Sequence, residues 1–223
     1  MENNIGQNTY LTFGSLNICG QSGMNPVKQK QIEDFISSYR IDVLACQEIN
    51  IDNETFSQCR QIRQNYTTIQ NNAMNRYGTA FIISNQVEFD NLQCDTEGRI
   101  MSINIGSSTI FNGYLHSGND RVMKGNREQT ISETIPNMLQ NSCENGLFLA
   151  DWNCITDNKD ATRNQADKMS PSLKRLIATM QWSDAFRKIY PHDLTYSRYY
   201  SSAAHGEGAT RIDRGYVLSL IHI

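Results

Sequence analysis

Short apolar runs alternate along the chain with longer amphipathic stretches, and this alternation predicts a mixture of strands and helices. The strand candidates are residues 10–17, 43–47, 79–84, 99–105, 109–114, 147–150 and 211–217. The helix candidates are residues 26–39, 52–64, 121–140 and 170–179. In the first helix one face is apolar, formed by Val27, Ile32, Phe35 and Ile36. Asn25 and Pro26 predict its start as cap and first helical residue.

This mixture fits either a doubly wound α/β domain or a β-sandwich covered by helices. Segments 79–84, 99–105 and 109–114 follow one another without an intervening helix, which predicts antiparallel hairpins. Polar residues stand at the C-terminal ends of the strand candidates and should therefore meet at one rim. We predict an α/β fold built as a two-layer β-sandwich flanked by helices.

Composition places the chain among globular proteins of one domain, because 223 residues with 39% hydrophobic and 19% charged residues allow one large core. No apolar run reaches the roughly eighteen residues of a membrane span, so no membrane partner is expected. The first ten residues lack the pattern of a secretory signal. Six cysteines without CxxC spacing predict reduced thiols in an intracellular compartment, nuclear or cytoplasmic. The net charge of −3 argues against a protein that passively coats DNA, but not against a nuclease.

Four motifs share one layout, in which an apolar strand ends in a carboxylate or an amide. They are Leu16-Asn17, Asp42 to Glu48, Leu147 to Asn153, and Arg211-Ile212-Asp213. One such motif alone is usually a turn or a helix cap. Four in one chain predict a site for a hard cation, and oxygen ligands fit Mg²⁺ or Mn²⁺ far better than zinc.

The order of these motifs resembles the exonuclease–endonuclease–phosphatase superfamily, which includes abasic-site endonucleases, DNase I-like nucleases and retrotransposon endonucleases. The resemblance spans roughly residues 10–217 and is carried by Leu16-Asn17, Cys46-Gln47-Glu48, Asn112-Gly113-Tyr114, Ala150-Asp151-Trp152-Asn153 and Arg211-Ile212-Asp213. The sequence departs from the family pattern at Ala150, at Trp152, and at Leu115-His116, where the family often has a proline. The resemblance implies a DNase I-like four-layer αββα fold.

Roles follow from the needs of phosphodiester hydrolysis: a neutralised phosphate, an aligned water and a stabilised leaving oxygen. Glu48 and Asn17 are the predicted metal ligands. Asp151 is predicted to orient or deprotonate the attacking water, and Asn153 and Tyr114 to donate to phosphate oxygens. The resemblance places Asp213 in the neighbourhood of the metal and of a histidine.

Substrate contacts are predicted for Arg99, His116, Arg127 and Thr195, each close to a motif loop. Lys124, Arg198 and Arg214 are further basic residues near these loops, and phosphate contact is their obvious use. For Arg99 a salt bridge, and for His116 a simple surface position, are equal alternatives. Arg127 is also placed to anchor the loop after Tyr114. His192 and His205 are expected to be exposed loop residues.

The family ends with Ser-Asp-His, and the sequence contains no such motif. Its final residues, from Leu218 to Ile223, resemble a translated sequencing adapter, although a genuine apolar strand end is the alternative. His222 follows apolar residues and so does not fit the closing histidine. We expect an N-terminal extension over 1–9, an incomplete, C-terminally truncated domain over 10–217 and a foreign tail over 218–223, with little or no activity.

Among the branches, the resemblance favours the endonuclease of a LINE-type retrotransposon that nicks target DNA. The segment Leu194-Thr195-Tyr196-Ser197 followed by Arg211-Ile212-Asp213 is similar to a pairing common in those domains. A reverse transcriptase is then expected to follow in the full-length protein. An abasic-site or other DNA nuclease, an RNA or lipid phosphodiesterase, and a non-catalytic degenerate copy are the alternatives.

Overall fold

Two β-sheets packed face to face form the centre of the molecule. The structure is a computed structural model and describes residues 10–20, 26–49, 59–71, 78–163, 168–202 and 206–218. The first sheet has the strand order β1-β2-β4-β3. Its strands are β1 (Phe13–Asn17), β2 (Val43–Ile49), β3 (Tyr66–Asn71) and β4 (Gly78–Ser84). β1 runs parallel to β2, and the other neighbours are antiparallel.

The second sheet has six strands in the order β5-β6-β7-β8-β12-β9. They are β5 (Asp90–Cys94), β6 (Ile100–Ile105), β7 (Ser108–Tyr114), β8 (Asn145–Asp151), β9 (Ser183–Asp184) and β12 (Asp213–Leu218). β7 runs parallel to β8, whereas β12 runs antiparallel to β8. A separate hairpin is formed by β10 (Arg198–Ser202) and β11 (Gly206–Thr210).

Helices cover the outer faces of both sheets. They are α1 (Pro26–Tyr39), α2 (Arg60–Asn65), α3 (Arg121–Gln129), α4 (Ile135–Leu139), α5 (Pro171–Thr179) and α6 (Ala185–Ile189). α1 and α2 contribute to an apolar cluster on the first sheet, around Ile36 and Leu44. α4 and α5 contribute to the cluster on the second sheet, around Phe148 and Trp152. The layers are therefore helix, sheet, sheet, helix.

The two sheets meet through a third apolar cluster, and a buried asparagine joins them within it. Phe81 from the first sheet and Met101 from the second are among the fully buried residues of this cluster. Asn112 on β7 is also fully buried. Its Nδ2 donates to the carbonyl oxygens of Cys46 at 3.0 Å and Ala80 at 2.8 Å, and its Oδ1 accepts from Gln47 Nε2 at 2.8 Å. These hydrogen bonds fix how β7 lies against β2 and β4.

The sandwich and all seven predicted strands are confirmed, with ends that shift by up to three residues. The predicted pairing of 79–84 with 99–105 was wrong, because β4 and β6 belong to different sheets. Only the β6–β7 hairpin forms. The strand predicted to begin at residue 211 begins at Asp213, so this carboxylate opens its strand instead of ending one. It still reaches the common rim because β12 is antiparallel to β8.

The predicted helices 26–39 and 170–179 are confirmed, the second with Ser170 as its cap. The predicted apolar face of α1 was wrong at Val27, which is 66% exposed, while Ile32 and Ile36 are buried. The helix predicted over 121–140 is interrupted by a π-helical turn, Thr130–Thr134. Of the helix predicted over 52–64, only α2 lies in the described part. Asn25, His205, His222, residues 1–9 and residues 219–223 lie outside the described residues.

Five strands that the sequence pattern did not predict are β3, β5, β9, β10 and β11. All are at a sheet edge or in the separate hairpin, where polar residues such as those of β5 (DNLQC) are tolerated. In the described part of the chain, no helix is long and apolar enough to cross a membrane. All six cysteines are free.

Replacing Asn112 by leucine should lower the free energy of unfolding by about 3 kcal/mol, because carbonyl oxygens and the Gln47 amide lose a buried partner. Ser102→Ala is the matched control on β6. The Ser102 hydroxyl is buried without a hydrogen-bond partner among the described residues, so its removal should change stability by less than about 1 kcal/mol. Urea unfolding measures both. Equal losses in the two variants would contradict the bridging role of Asn112.

Candidate active site at the rim of the two sheets

An open cleft of about 500 Å³ lies where strand ends from both sheets meet. Asn17 ends β1, and Glu48 lies near the end of β2. In the second sheet Tyr114, Asp151 and Asp213 are register partners along β7, β8 and β12. The cleft is lined by Ser15, Leu16, Asn17, Cys19, Glu48, Ser117, Asp151, Asn153, Ser197, Arg198, Ile212 and Asp213.

The Asn17 amide connects carboxylates from the two sheets. Its Nδ2 donates to Glu48 Oε1 at 3.0 Å and to Asp151 Oδ2 at 2.8 Å. Its Oδ1 accepts from the backbone N–H of Cys19 at 2.8 Å, which orients the amide. Glu48 and Asp151 therefore face one another across a single side chain.

Glu48 owes its position to an irregularity in β2. The pairing of β2 with β4 shifts between Gln47 and Ile49, and Glu48 has a left-handed backbone with φ of 54°. A regular strand would send Glu48 to the face opposite Gln47; the bulge turns it to the rim. The backbone of Gly20 lies directly against Glu48, since a Cβ on residue 20 would be 1.9 Å from the Glu48 carbonyl oxygen. A left-handed backbone like that of Glu48 is strained, and such strain is typical of functional positions.

The turn that follows β8 fixes the second carboxylate oxygen of Asp151, the one that Asn17 does not contact. The backbone N–H of Asn153 donates to Asp151 Oδ1 at 2.9 Å, and Asn153 itself has a φ of 48°. The Asn153 Nδ2 donates to the Leu115 carbonyl oxygen at 2.9 Å. Between them, Trp152 points into the core and its Nε1 donates to the Arg214 carbonyl oxygen at 3.2 Å. The carboxylate is therefore presented on a turn that the core itself anchors.

The carboxylates of the cleft repel one another and lie out of water. Burial first, and then the charge of Asp213, raises the pKa of Asp151 to about 7, although Asn153 and Asn17 act in the opposite direction. Burial also raises the pKa of Asp213, against the opposing effects of Ser197 and Arg198. The cleft is thus short of positive charge, as expected of a site that a cation would complete.

Tyr114 remains a hydrogen-bond donor at this rim. It is 3% exposed. Burial, and then the neighbouring Glu48 carboxylate, raises the pKa of Tyr114 well above its usual value. Its hydroxyl keeps its proton at neutral pH and lies beside Glu48 and Ser117, and Tyr114 is not among the described residues that line the cleft.

The chain has no match among family models or curated protein sequences, but its fold is known. An AP endonuclease from Archaeoglobus fulgidus superposes with a TM-score of 0.72 at 17% identity, over 94% of this chain and 87% of that one. The 3'-5' exonuclease NExo from Neisseria meningitidis gives 0.72 at 16%, over 93% and 86%. The 3' phosphatase NExo from Neisseria, bound to a product DNA hairpin, gives 0.70 at 13%, over 93% and 86%. The fold is DNase I-like.

The donor set of the cleft fits a hard divalent cation. Among the described residues, no three His, Cys, Asp or Glu side chains are close enough to hold a metal by themselves. Mg²⁺ does not need such a cage, because it usually keeps several waters and binds one or two carboxylates. Glu48 could supply a carboxylate ligand beside Asp151. The Asn17 amide would have to turn its oxygen, which accepts from the Cys19 N–H in this structure, toward these carboxylates to join it. The described residues of the lining offer oxygen donors, which Mg²⁺ and Mn²⁺ prefer.

The four predicted substrate contacts lie outside the lining of the cleft. Arg99 lies over the Tyr114 ring at 5.4 Å and donates from Nη1 to the Tyr114 carbonyl oxygen at 3.2 Å. His116 is 8% exposed, with Nε2 3.7 Å from Glu97, and burial followed by Arg99 lowers its pKa to about 4. It is therefore a neutral, largely buried side chain and not a surface histidine.

Arg127 and Thr195 have local partners of their own. Arg127 is 1% exposed and its Nη1 donates to the carbonyl oxygens of His116 at 2.8 Å and Gly118 at 3.2 Å. This arrangement anchors the loop and corrects the expectation of a direct phosphate contact, since a buried guanidinium is not presented to solvent. The geometry of Thr195 does not favour the predicted substrate contact either, because its Oγ1 donates to Asp193 Oδ1 at 2.6 Å in an exposed turn.

Ser15, Cys19 and Ser117 line the cleft without having been predicted as site residues, and Ser197, which lines it as well, was named only as part of a motif. The Ser197 hydroxyl oxygen accepts from the backbone N–H groups of Ile212 and Asp213, both at 3.1 Å. A serine directly before a polar strand carries no signal for this contact in one sequence. The contact was implied only by the resemblance that pairs Tyr196-Ser197 with the segment around Asp213.

Without a divalent cation, the free energy of unfolding should fall as the pH rises from about 4 to about 8. Asp151 keeps its proton in the folded chain up to a pH of about 7, whereas an unfolded aspartate loses its proton near pH ~3.9. The folded state binds more protons across this window, so stability decreases with pH. The total loss is on the order of 2–4 kcal/mol, with Asp213 acting in the same direction.

Asp151→Asn should remove most of this slope, while Asp34→Asn, which changes an exposed carboxylate on α1, should leave it intact. Urea unfolding in the presence of a chelator, at several pH values between 5 and 8, provides the comparison. An unchanged slope in Asp151→Asn would show that this carboxyl group does not titrate as described.

Proposed function

We propose that this chain is a metal-dependent phosphodiesterase that nicks DNA, in the manner of a retrotransposon endonuclease. The observation that carries the proposal is the Asn17 amide between Glu48 and Asp151 in one open cleft. The site brings together oxygen donors from both sheets at the place where the predicted motifs end. The DNase I-like fold supports phosphodiester hydrolysis as the reaction class.

In this mechanism, a bound Mg²⁺ or Mn²⁺ would supply charge neutralisation at the phosphate. Glu48 and Asn17 would hold it. Asp151 orients the attacking water and accepts its proton. The second N–H of the Asn153 amide, which lines the cleft, can donate to a phosphate oxygen. Tyr114, whose hydroxyl lies beside Glu48, would have to turn toward the phosphate to donate as well. Asp213 completes the acidic rim and raises the basicity of Asp151.

A LINE-type branch is supported by the tie between Ser197 and the segment Ile212-Asp213, because the resemblance pairs these two motifs. In this proposal a reverse transcriptase follows in the full-length protein, which acts inside the cell. An abasic-site or 3'-end nuclease is the second candidate, since the superposed structures are described as an AP endonuclease and a 3'-5' exonuclease. Intact plasmid, abasic duplex and 3'-phosphorylated duplex compared as substrates would separate the two.

Turnover is expected to be slow. The resemblance assigns the general base to the histidine of a closing Ser-Asp-His motif, which the sequence does not contain. A missing acid–base group typically costs 10²–10⁴-fold in rate, and the proposed mechanism leaves the proton transfer from water to Asp151. Assays should therefore use excess protein over DNA.

With supercoiled plasmid and excess protein, nicking should require Mg²⁺ or Mn²⁺ and persist with a zinc-selective chelator. Asp151→Asn should slow nicking by about 100-fold or more, while changing DNA affinity much less, because it removes the proton acceptor. Glu48→Gln should instead raise the metal concentration needed for half-maximal nicking. Asp34→Asn is the control for loss of a carboxylate elsewhere. Normal nicking by Asp151→Asn would remove this residue from the mechanism.

A further inference from the structure

Among the described residues that line the cleft, Arg198 is the one with a positively charged side chain. It begins β10, directly after Ser197, and is exposed. Its guanidinium makes no ion pair or hydrogen bond with any residue in the described part of the chain. It is close enough to Asp213 to lower the pKa of that carboxyl group. An exposed arginine at a reaction cleft can donate its N–H groups to a bound anion.

The backbone around Arg198 is firmly placed. Arg198 pairs with Thr210 at the base of the β10–β11 hairpin. Ser197 accepts hydrogen bonds from Ile212 and Asp213 at the start of β12. The Cα of Arg198 is thus fixed relative to Asp213, while its side chain remains free to meet a ligand.

Lys168 provides a second cation on the same side. Its carbonyl oxygen accepts from the Ile155 N–H at 2.9 Å, which ties it to the segment that follows Asp151. Its Nζ lies over the ring of Tyr200, 5.4 Å from the centroid, and Tyr200 is on the same hairpin as Arg198. Burial, and then the charge of Arg198, lowers the pKa of Lys168, while Asp151 acts against this. Because Arg198 and Tyr200 are two residues apart on β10, their side chains share one face of that strand, and the two cations lie near one another on this face.

Such a pair is stabilised when an anion joins it, and DNA offers a suitable one. The carboxylates of the cleft repel the scissile phosphate unless a bound metal ion neutralises its charge. A neighbouring phosphate of the same strand has no metal to neutralise it and needs cationic side chains. Arg198 and Lys168 are on the side of the cleft from which the hairpin projects.

We propose that Arg198 and Lys168 form a clamp for a non-scissile phosphate, which makes the site specific for a polynucleotide strand over a small phosphodiester. The proposal rests on the proposed function, since it assumes that DNA enters this cleft. The two residues position the strand and take no part in bond cleavage. The competing explanation is that Arg198 serves only as a counter-ion for Asp213.

Binding of a fluorescein-labelled duplex of about twenty base pairs, with Ca²⁺ present, distinguishes the two explanations at several salt concentrations. Each lost phosphate contact should reduce the slope of log K against log salt by about 0.9. Arg198→Met and Lys168→Met should each show this change and weaken binding roughly tenfold at low salt. Arg198→Lys should keep the wild-type slope, because it retains the charge. Lys174→Met, on α5, is the control for general loss of positive charge.

A second readout on the same variants is Mn²⁺ affinity by calorimetry. If Arg198 is only a counter-ion, Arg198→Met will bind Mn²⁺ more tightly and keep the wild-type salt slope for DNA, which would overturn the clamp. If the wild-type chain binds duplex DNA but no variant changes the slope, the clamp is likewise wrong while the proposed function stands. If the wild-type chain binds no DNA at all, the proposed function is wrong, and the clamp is wrong with it. Circular dichroism confirms that each variant is folded.

Discussion

The relative position of the two sheets is the constraint on which the site depends, because Glu48 comes from the first sheet and Asp151 from the second. Asn112 sets that position from inside, through hydrogen bonds to carbonyls of β2 and β4. Asn17 completes it at the rim by donating to both carboxylates. A buried polar side chain with several hydrogen-bond partners fixes one position of the two sheets, whereas apolar packing alone would allow one sheet to slide over the other.

Electrostatics then explains what the rim is suited to hold. Carboxylates gathered in a partly buried cleft destabilise the folded chain unless a proton or a cation neutralises them. The raised pKa values of Asp151 and Asp213 express this cost. The same arrangement leaves Asp151 poised near neutral pH, where a carboxylate can act as a base. The carboxylates therefore lower the stability of the metal-free chain, and the same carboxylates provide the site for a cation and for the reaction.

Much of this could be predicted from the sequence, since apolar runs located the seven principal strands and polar strand ends located Asn17, Glu48 and Asp151. Alternation along one strand could not show that β4 and β6 lie in different sheets, because partner choice depends on distant segments. Nor could it show the burial of Arg127, whose charge suggested solvent. The polar edge strands β5, β10 and β11 lack the apolar pattern altogether. Ser197 and Arg198 were brought to the cleft by that hairpin.

Isothermal titration with Mn²⁺ at pH 6.5, in two buffers of different ionisation enthalpy, measures whether a cation binds at this rim and removes the proton of Asp151. We expect one cation per chain, bound with release of protons, because the cation displaces the proton that Asp151 holds at this pH. Proton release should disappear in Asp151→Asn, and affinity should fall in Glu48→Gln. Binding without proton release, at an affinity that neither substitution changes, would place the cation elsewhere and contradict the account.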